Sequence, residues 1–93
     1  MSLDIIWTTQ FKKDYKRAEK RGYNLELLDE CIRILATGKP LPPEYRDHKL
    51  SGNWSGYREC HIENDWLLIY RINGNDLVLT LTLSRAGTHS DVF

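Results

Sequence analysis

Cysteine is scarce in this sequence: Cys31 and Cys60 are the only two, and they match no paired-ligand motif. That excludes a disulfide framework or a zinc-ribbon spacing and reads as free thiols in a cytoplasmic protein. No apolar run approaches the roughly 18 residues of a membrane span, and no signal-peptide core is recognisable, so neither membrane insertion nor export is expected. An excess of one charge is also missing, with 13 Lys and Arg against 13 Asp and Glu. A broad nucleic-acid clamp is therefore disfavoured, although a local one depends on where the charges lie. No internal repeat or low-complexity segment occurs. The chain of 93 residues is 41% hydrophobic, which fits one small globular domain spanning 1–93.

The charge is unevenly distributed. The stretch KKDYKRAEKR, from Lys12 to Arg21, holds six basic residues against two acidic ones. Thr8 or Thr9 caps a predicted helix here, with Phe11, Tyr15 and Ala18 on one face. Lys12, Lys13, Lys16, Arg17, Lys20 and Arg21 then occupy the remaining surface, either as a solvated face or as a patch toward phosphate or an acidic partner. Gly22 ends this helix and Asn24 caps a second, whose buried stripe is Leu25, Leu28, Ile32 and Leu35. Gly38 and Pro40 stop it, and a stiff connection follows.

Strand signals flank the helical hairpin. Leu3 to Trp7 forms one ahead of it. YRECHI alternates, which puts Cys60 and Ile62 toward the core and Tyr57, Glu59 and His61 on the opposite face. WLLIYRI follows a turn at Glu63 to Asp65. NGND turns into LVLTLTLS, where Leu77, Leu79, Leu81 and Leu83 line one side. The pattern predicts an α+β fold, one curved sheet covered by a helical hairpin.

The three histidines lie outside the predicted helices: His48 before a strand, His61 within one and His89 near the C-terminus. Asp65 occupies a turn and Arg85 follows the last strand. Converging strand ends would bring imidazoles, a carboxylate and a cation into one groove. Histidine exchanges protons near neutral pH, and arginine neutralises phosphoryl oxygens through directed hydrogen bonds. Cys60 next to His61 makes a poor protease dyad, because adjacent strand residues point to opposite faces.

Two blocks carry a more specific signal: DHKLSGNWSGYRECHIENDWLLIY from Asp47, and the terminal RAGTHSDVF from Arg85. Together, in this order, they resemble the YafQ branch of the RelE/ParE toxin superfamily over nearly the whole chain. The resemblance implies a RelE-like fold with a mainly antiparallel curved sheet. It also implies a ribosome-dependent endoribonuclease that cuts translated mRNA at the A site of the 70S ribosome, within a bacterial type II toxin–antitoxin pair. The matching reactive positions are His48, His61, Asp65, Arg85 and His89, with Phe93 as the nearby aromatic.

In such chemistry an RNA 2′-hydroxyl attacks the neighbouring phosphate, and no cofactor or metal is required. His48 or His61 serves as base or orienting group, Asp65 holds an imidazole, Arg85 offsets phosphorane charge and His89 is the preferred acid. Phe93 stacks on a base or pins the tail as a lid. Lys12, Lys13, Lys16, Arg17, Tyr57 and Arg58 are substrate-binding candidates. Arg58 alternatively pairs with Glu63, and Asp47 either orients His48 or caps a turn. Trp54, Tyr57 and Trp66 also read as packing residues.

Three rivals stand beside this reading. The histidines and Asp65 could supply a metal site, though no short ligand spacing supports one. A ParE-like topoisomerase inhibitor, or an inactive antitoxin-binding module, would share the fold without the nuclease chemistry. The family resemblance further implies a cognate dimeric DNA-binding antitoxin, in a heterotetramer or larger complex, whose tail covers the basic helix.

Overall fold

The computed structural model describes residues 3–74 and 79–93, with only the backbone of 79 and 80. Strand β1 (Asp4–Trp7) leads into helices α1 (Thr9–Lys20) and α2 (Leu25–Ala36). Strands β2 (His48–Lys49), β3 (Arg58–Glu63), β4 (Trp66–Gly74) and β5 (Leu79–Gly87) follow, and a short helix α3 (His89–Val92) ends the chain. The sheet order is β1-β5-β4-β3-β2. Its ladders are antiparallel except for the parallel pair β1–β5. This is the expected α+β architecture.

Local chemistry explains the helical hairpin. The Thr8 side chain accepts from the Phe11 amide, and Asn24 accepts from that of Glu26. Gly22, at φ 78°, makes the left-handed turn between the helices. Phe11 and Ala18 of α1 join Leu28, Cys31, Ile32 and Leu35 of α2 over Cys60, Leu68, Tyr70, Leu81, Leu83 and Ala86 of the sheet. Cys31 thus belongs to the α2 stripe, whereas Leu25 is only partly buried. Burying each large side chain contributes about 1.5–3 kcal/mol, so this single cluster is what closes the hairpin onto the sheet. Cys60 meets Cys31, both reduced and fully buried, with sulfurs 3.5 Å apart. The Cys31 thiol beside it, and then burial, push the Cys60 pKa up, which keeps it protonated and inert.

Several boundaries differ from the sequence expectation. Leu3 is not in β1; it is buried and donates its amide to the Ala36 carbonyl at the end of α2. His48 lies within β2 rather than before a strand, because the connection after α2 adds this two-residue edge strand. Arg85 lies inside β5, and His89 opens α3. Of the NGND turn, Asn75 and Asp76 fall outside the described residues, as does Leu77. No helix among the described residues is long and apolar enough to cross a membrane.

Candidate active site

Strand alternation divides the sheet into two faces. Leu68 and Tyr70 join the core beneath the helices, so Leu67, Ile69 and Arg71 of β4 face away from them. Register then aligns partners on this outer face. His48 pairs with Glu59, Glu59 with Ile69, and Ile69 with Arg85. One row across four strands therefore carries His48, Glu59 and Arg85. The next row holds His61 opposite Leu67.

Arg85 reaches this row through a β-bulge. Tyr70 pairs with Leu83 but Ile69 pairs with Arg85, leaving Ser84 as the extra residue. Without it, Arg85 would share the inward face of Leu83; with it, Arg85 turns outward and Ala86 returns to the core.

Glu59 is the centre of the cluster. It is only 4% exposed, and its Oε1 lies 3.4 Å from His61 Nε2, 3.7 Å from His48 Nε2 and 3.9 Å from His89 Nε2. Strand alternation puts Glu59 on the His61 face but assigns it no role. Its alternation with His61 was the available signal, but a glutamate on a half-exposed strand is ordinary until three imidazoles converge on it.

The opposite ring nitrogens fix each imidazole. His48 Nδ1 lies 2.8 Å from the Arg46 carbonyl oxygen, which only accepts, so the proton sits on Nδ1 and Nε2 faces the cleft. His61 Nδ1 lies 3.2 Å from the Arg46 guanidinium, which only donates, and 3.3 Å from the Asn64 carbonyl. The guanidinium asks Nδ1 to accept and the carbonyl asks it to donate; the Glu59 carboxylate 3.4 Å from Nε2 favours the proton on Nε2. His89 Nδ1 lies 2.7 Å from Asp65 Oδ1, and the His89 amide donates to the same oxygen at 3.2 Å. These contacts, led by the side-chain bond, hold the Asp65 carboxyl below its usual range.

The tail that carries His89 is fastened to α1. The parallel ladder ends at Trp7 and Leu83, after which Asp14 takes over as partner of the β5 edge. Its fully buried carboxylate accepts from the Ala86 amide at 3.0 Å and from Arg85 Nε at 2.8 Å, and it faces Arg17 at 3.1 Å. Arg85 Nη2 also donates to the Asp91 carbonyl at 3.3 Å. Thr88 and Asp91 cap α3 reciprocally, and Arg21 donates to Asp91 at 2.7 Å. The Arg21 guanidinium is the largest influence pulling the Asp91 carboxyl far below its ordinary value. Gly87 makes the close approach feasible, since a Cβ there would lie 2.8 Å from Arg17 Nη2 and 2.9 Å from Asp91 Cβ.

The residues foreseen as one site thus divide. His48, His61, Asp65, Arg85 and His89 share the outer face and its rim, with Phe93 6.1 Å from the His89 ring and 55% exposed. Tyr57 lies further along, with Arg71 5.1 Å over its ring. Lys12, Lys13 and Lys16 are exposed on α1, and no hydrogen bond or ion pair among the described residues joins them to the histidines. Arg17 is engaged with Asp14, Asp91 and the Ala86 carbonyl. Arg58 pairs with Asp47 at 3.2 Å rather than with Glu63. Asp47 also accepts from Tyr70 at 2.7 Å, so it does not orient His48. Burial and this bond push the Tyr70 pKa up.

His48, Glu59 and His61 also offer three ligand atoms within 4.8 Å of one another. An N/N/O donor set of this kind suits zinc or copper.

Residues 3–93 match the family model described as the bacterial toxin of type II toxin–antitoxin system, YafQ. The Escherichia coli K12 mRNA interferase toxin YafQ is 40% identical over 91 residues, covering 97% of this chain and 95% of that protein. The crystal structure of the E. coli DinJ–YafQ toxin–antitoxin complex contains a chain 39% identical, with TM-score 0.83 and coverage of 100% and 99%. A metal-bound toxin from Helicobacter pylori is 43% identical, with TM-score 0.88 and coverage of 98% and 99%.

Proposed function

Because the chain belongs to the YafQ family of bacterial type II toxin–antitoxin toxins, we propose that it is an mRNA endoribonuclease that cleaves translated mRNA in the A site of the 70S ribosome. The observation that carries this reading is the convergence of His48, His61 and His89 on Glu59, on the sheet face to which the Ser84 bulge turns Arg85.

Nε2 of His48, with its proton held on Nδ1, is the base that removes the 2′-hydroxyl proton. The 2′-oxygen attacks the adjacent phosphorus and the P–O5′ bond breaks. The products are a 2′,3′-cyclic phosphate and a 5′-hydroxyl. His89 gives its Nε2 proton to the departing 5′-oxygen, and Asp65 offsets the charge of the imidazole while it carries both protons. Arg85 stabilises the phosphorane, its Nε anchored on Asp14. His61 donates to Glu59, and Glu59 spaces the three rings as a positioning residue. Phe93 stacks on a base beside His89.

His48 and His89 are exposed at the margins of the cluster while Glu59 is buried at its centre, which suits a strand presented from outside by a larger body. Programmed 70S ribosomes with defined mRNA test the proposal. Cleavage is expected with ribosomes and weak or absent with naked RNA; rapid selective cutting of naked RNA overturns the ribosome dependence. Intact mRNA on programmed ribosomes, together with inhibited topoisomerase, would favour the ParE-like alternative.

A cognate dimeric DNA-binding antitoxin, bound in a heterotetramer or larger cytoplasmic complex, is the proposed partner, in keeping with the DinJ–YafQ complex of the relative. The exposed lysines Lys12, Lys13, Lys16 and Lys20 of α1 offer its acidic tail a surface. An inactive antitoxin-binding module would form this complex and leave mRNA uncut. A metal has one specific observation in its favour, the His48–Glu59–His61 ligand set. Here it is an inhibitor, since coordination would occupy the nitrogen that serves as base.

A further inference from the structure

A line of rings leads away from the histidines along the sheet. Phe93 lies 6.0 Å from Trp54, Trp54 lies 5.2 Å from Tyr57, and the Arg71 guanidinium sits over Tyr57. Beside Tyr57 a cavity of about 380 Å³ opens, lined by Lys49, Gly56, Arg58 and Ile72 among others. Lys49 follows His48 in β2, and Arg58 precedes Glu59 in β3, so alternation turns both side chains to the face opposite the histidines, and the cavity opens round the sheet edge next to the reacting cluster. It lies where β2 ends the sheet after two residues, so a chain leaving the histidine face can pass round this edge.

The lining has the chemistry of a nucleotide subsite. Ile72 is 42% exposed at the end of the sheet and gives an apolar wall; Tyr57 gives an aromatic one. Lys49 lines the cavity as an exposed cation, and the exposed Arg71 sits over the Tyr57 ring that forms its aromatic wall. Arg58 is largely neutralised by Asp47 and contributes shape more than charge. Aromatic and apolar walls accept a base of any sequence, and flexible cations follow the backbone.

We propose that this cavity receives the base of a nucleotide flanking the scissile phosphate, while Lys49 and Arg71 bind the phosphates of that same strand. The inference rests on the endoribonuclease reading and extends its substrate contacts beyond the reacting groups. The footprint on mRNA then includes a second, sequence-tolerant anchor that helps set which phosphate reaches Arg85. A contact remote from the reacting bond that is made equally before and during the reaction supplies uniform binding, so its loss falls on KM rather than on the saturating rate.

The test uses the full chain on 70S ribosomes programmed with mRNA, and a second message carrying a 2′-deoxy nucleotide at the cleavage position for binding. Lys49→Ala and Arg71→Ala are each expected to weaken binding roughly fivefold to tenfold and to reduce the salt slope by about 0.7, one single-strand phosphate contact. Ile72→Trp fills the cavity; it is expected to raise KM several-fold and leave the salt slope unchanged. Wild-type affinity and slope in all three variants overturn the proposal. So does weakened antitoxin binding with unchanged RNA binding, which would assign the surface to the antitoxin. Failure of the wild-type protein to cleave ribosome-bound mRNA would instead defeat the endoribonuclease reading, and the deoxy message would still report whether the subsite binds RNA.

Discussion

Arg85 stands opposite Ile69 across the β4–β5 ladder, with Ser84 left unpaired behind it. That single extra residue puts the guanidinium on the histidine face while Ala86 keeps its place in the core. Arg85→Lys is expected to lower single-turnover cleavage at least tenfold, because an ammonium cannot both hold Asp14 and present a planar fork to phosphate. Arg85→Ala should in addition cost about 2 kcal/mol of stability, since it removes a charged hydrogen bond from a buried carboxylate. Denaturant unfolding separates the two effects. Unchanged stability in Arg85→Ala would refute the proposed Asp14 anchor.

His89→Ala is expected to fold and to bind antitoxin and ribosomes, yet lose cleavage about 100-fold or more. Phe93→Ala should have a smaller effect, on positioning. Single-turnover cleavage on programmed ribosomes, with binding measured separately, decides this. A near-wild-type rate for His89→Ala removes it from the acid role.

Glu59→Gln keeps the shape of the side chain and removes its charge. The expected outcome is a roughly tenfold to hundredfold slower chemical step with little change in ribosome binding, because the rings lose their common anion. His48→Ala should be more damaging than His61→Ala if His48 is the base. The reverse order would exchange their roles.

Asp91 makes tail docking acid-sensitive. Its carboxyl is depressed below the ordinary value of 3.8, so its stabilisation is full above that value and is lost as pH falls below it. The protection factors of the Thr88 and Asp91 amides, taken relative to intrinsic exchange at each pH, should hold down to about pH 4 and fall at lower pH. Asp91→Asn should expose these amides already at neutral pH. Equal protection in wild type and variant at pH 7 would show that the Arg21 pair does not hold α3.

Metal chelation gives a further check. With the Mg2+ that the ribosomes need held constant, a chelator selective for zinc and copper is expected to leave cleavage unchanged, whereas added zinc or copper should suppress it reversibly through His48, Glu59 and His61. Activity that vanishes with chelator and returns with metal would reverse this reading.

The sequence by itself determined the parts governed by local periodicity. The Thr8–Thr9 pair and Asn24 announced their helix starts, Gly22 the break between them, and period-2 alternation put Glu59 and His61 together opposite Cys60, while the structure picks Thr8 as the cap. The two motif blocks named every histidine of the cluster. Tertiary structure decided what depends on register between distant strands. Ser84 could not be read as a bulge, because only its partner strand defines it as extra. Glu59 became a centre only when β2 and α3 delivered His48 and His89 to it. Arg17 and Arg21, which share the basic pattern of their neighbours, face Asp91 because the chain end returns to α1 past Gly87. Local propensity records which way a side chain points along its own element; which groups it meets is fixed by long-range pairing and packing.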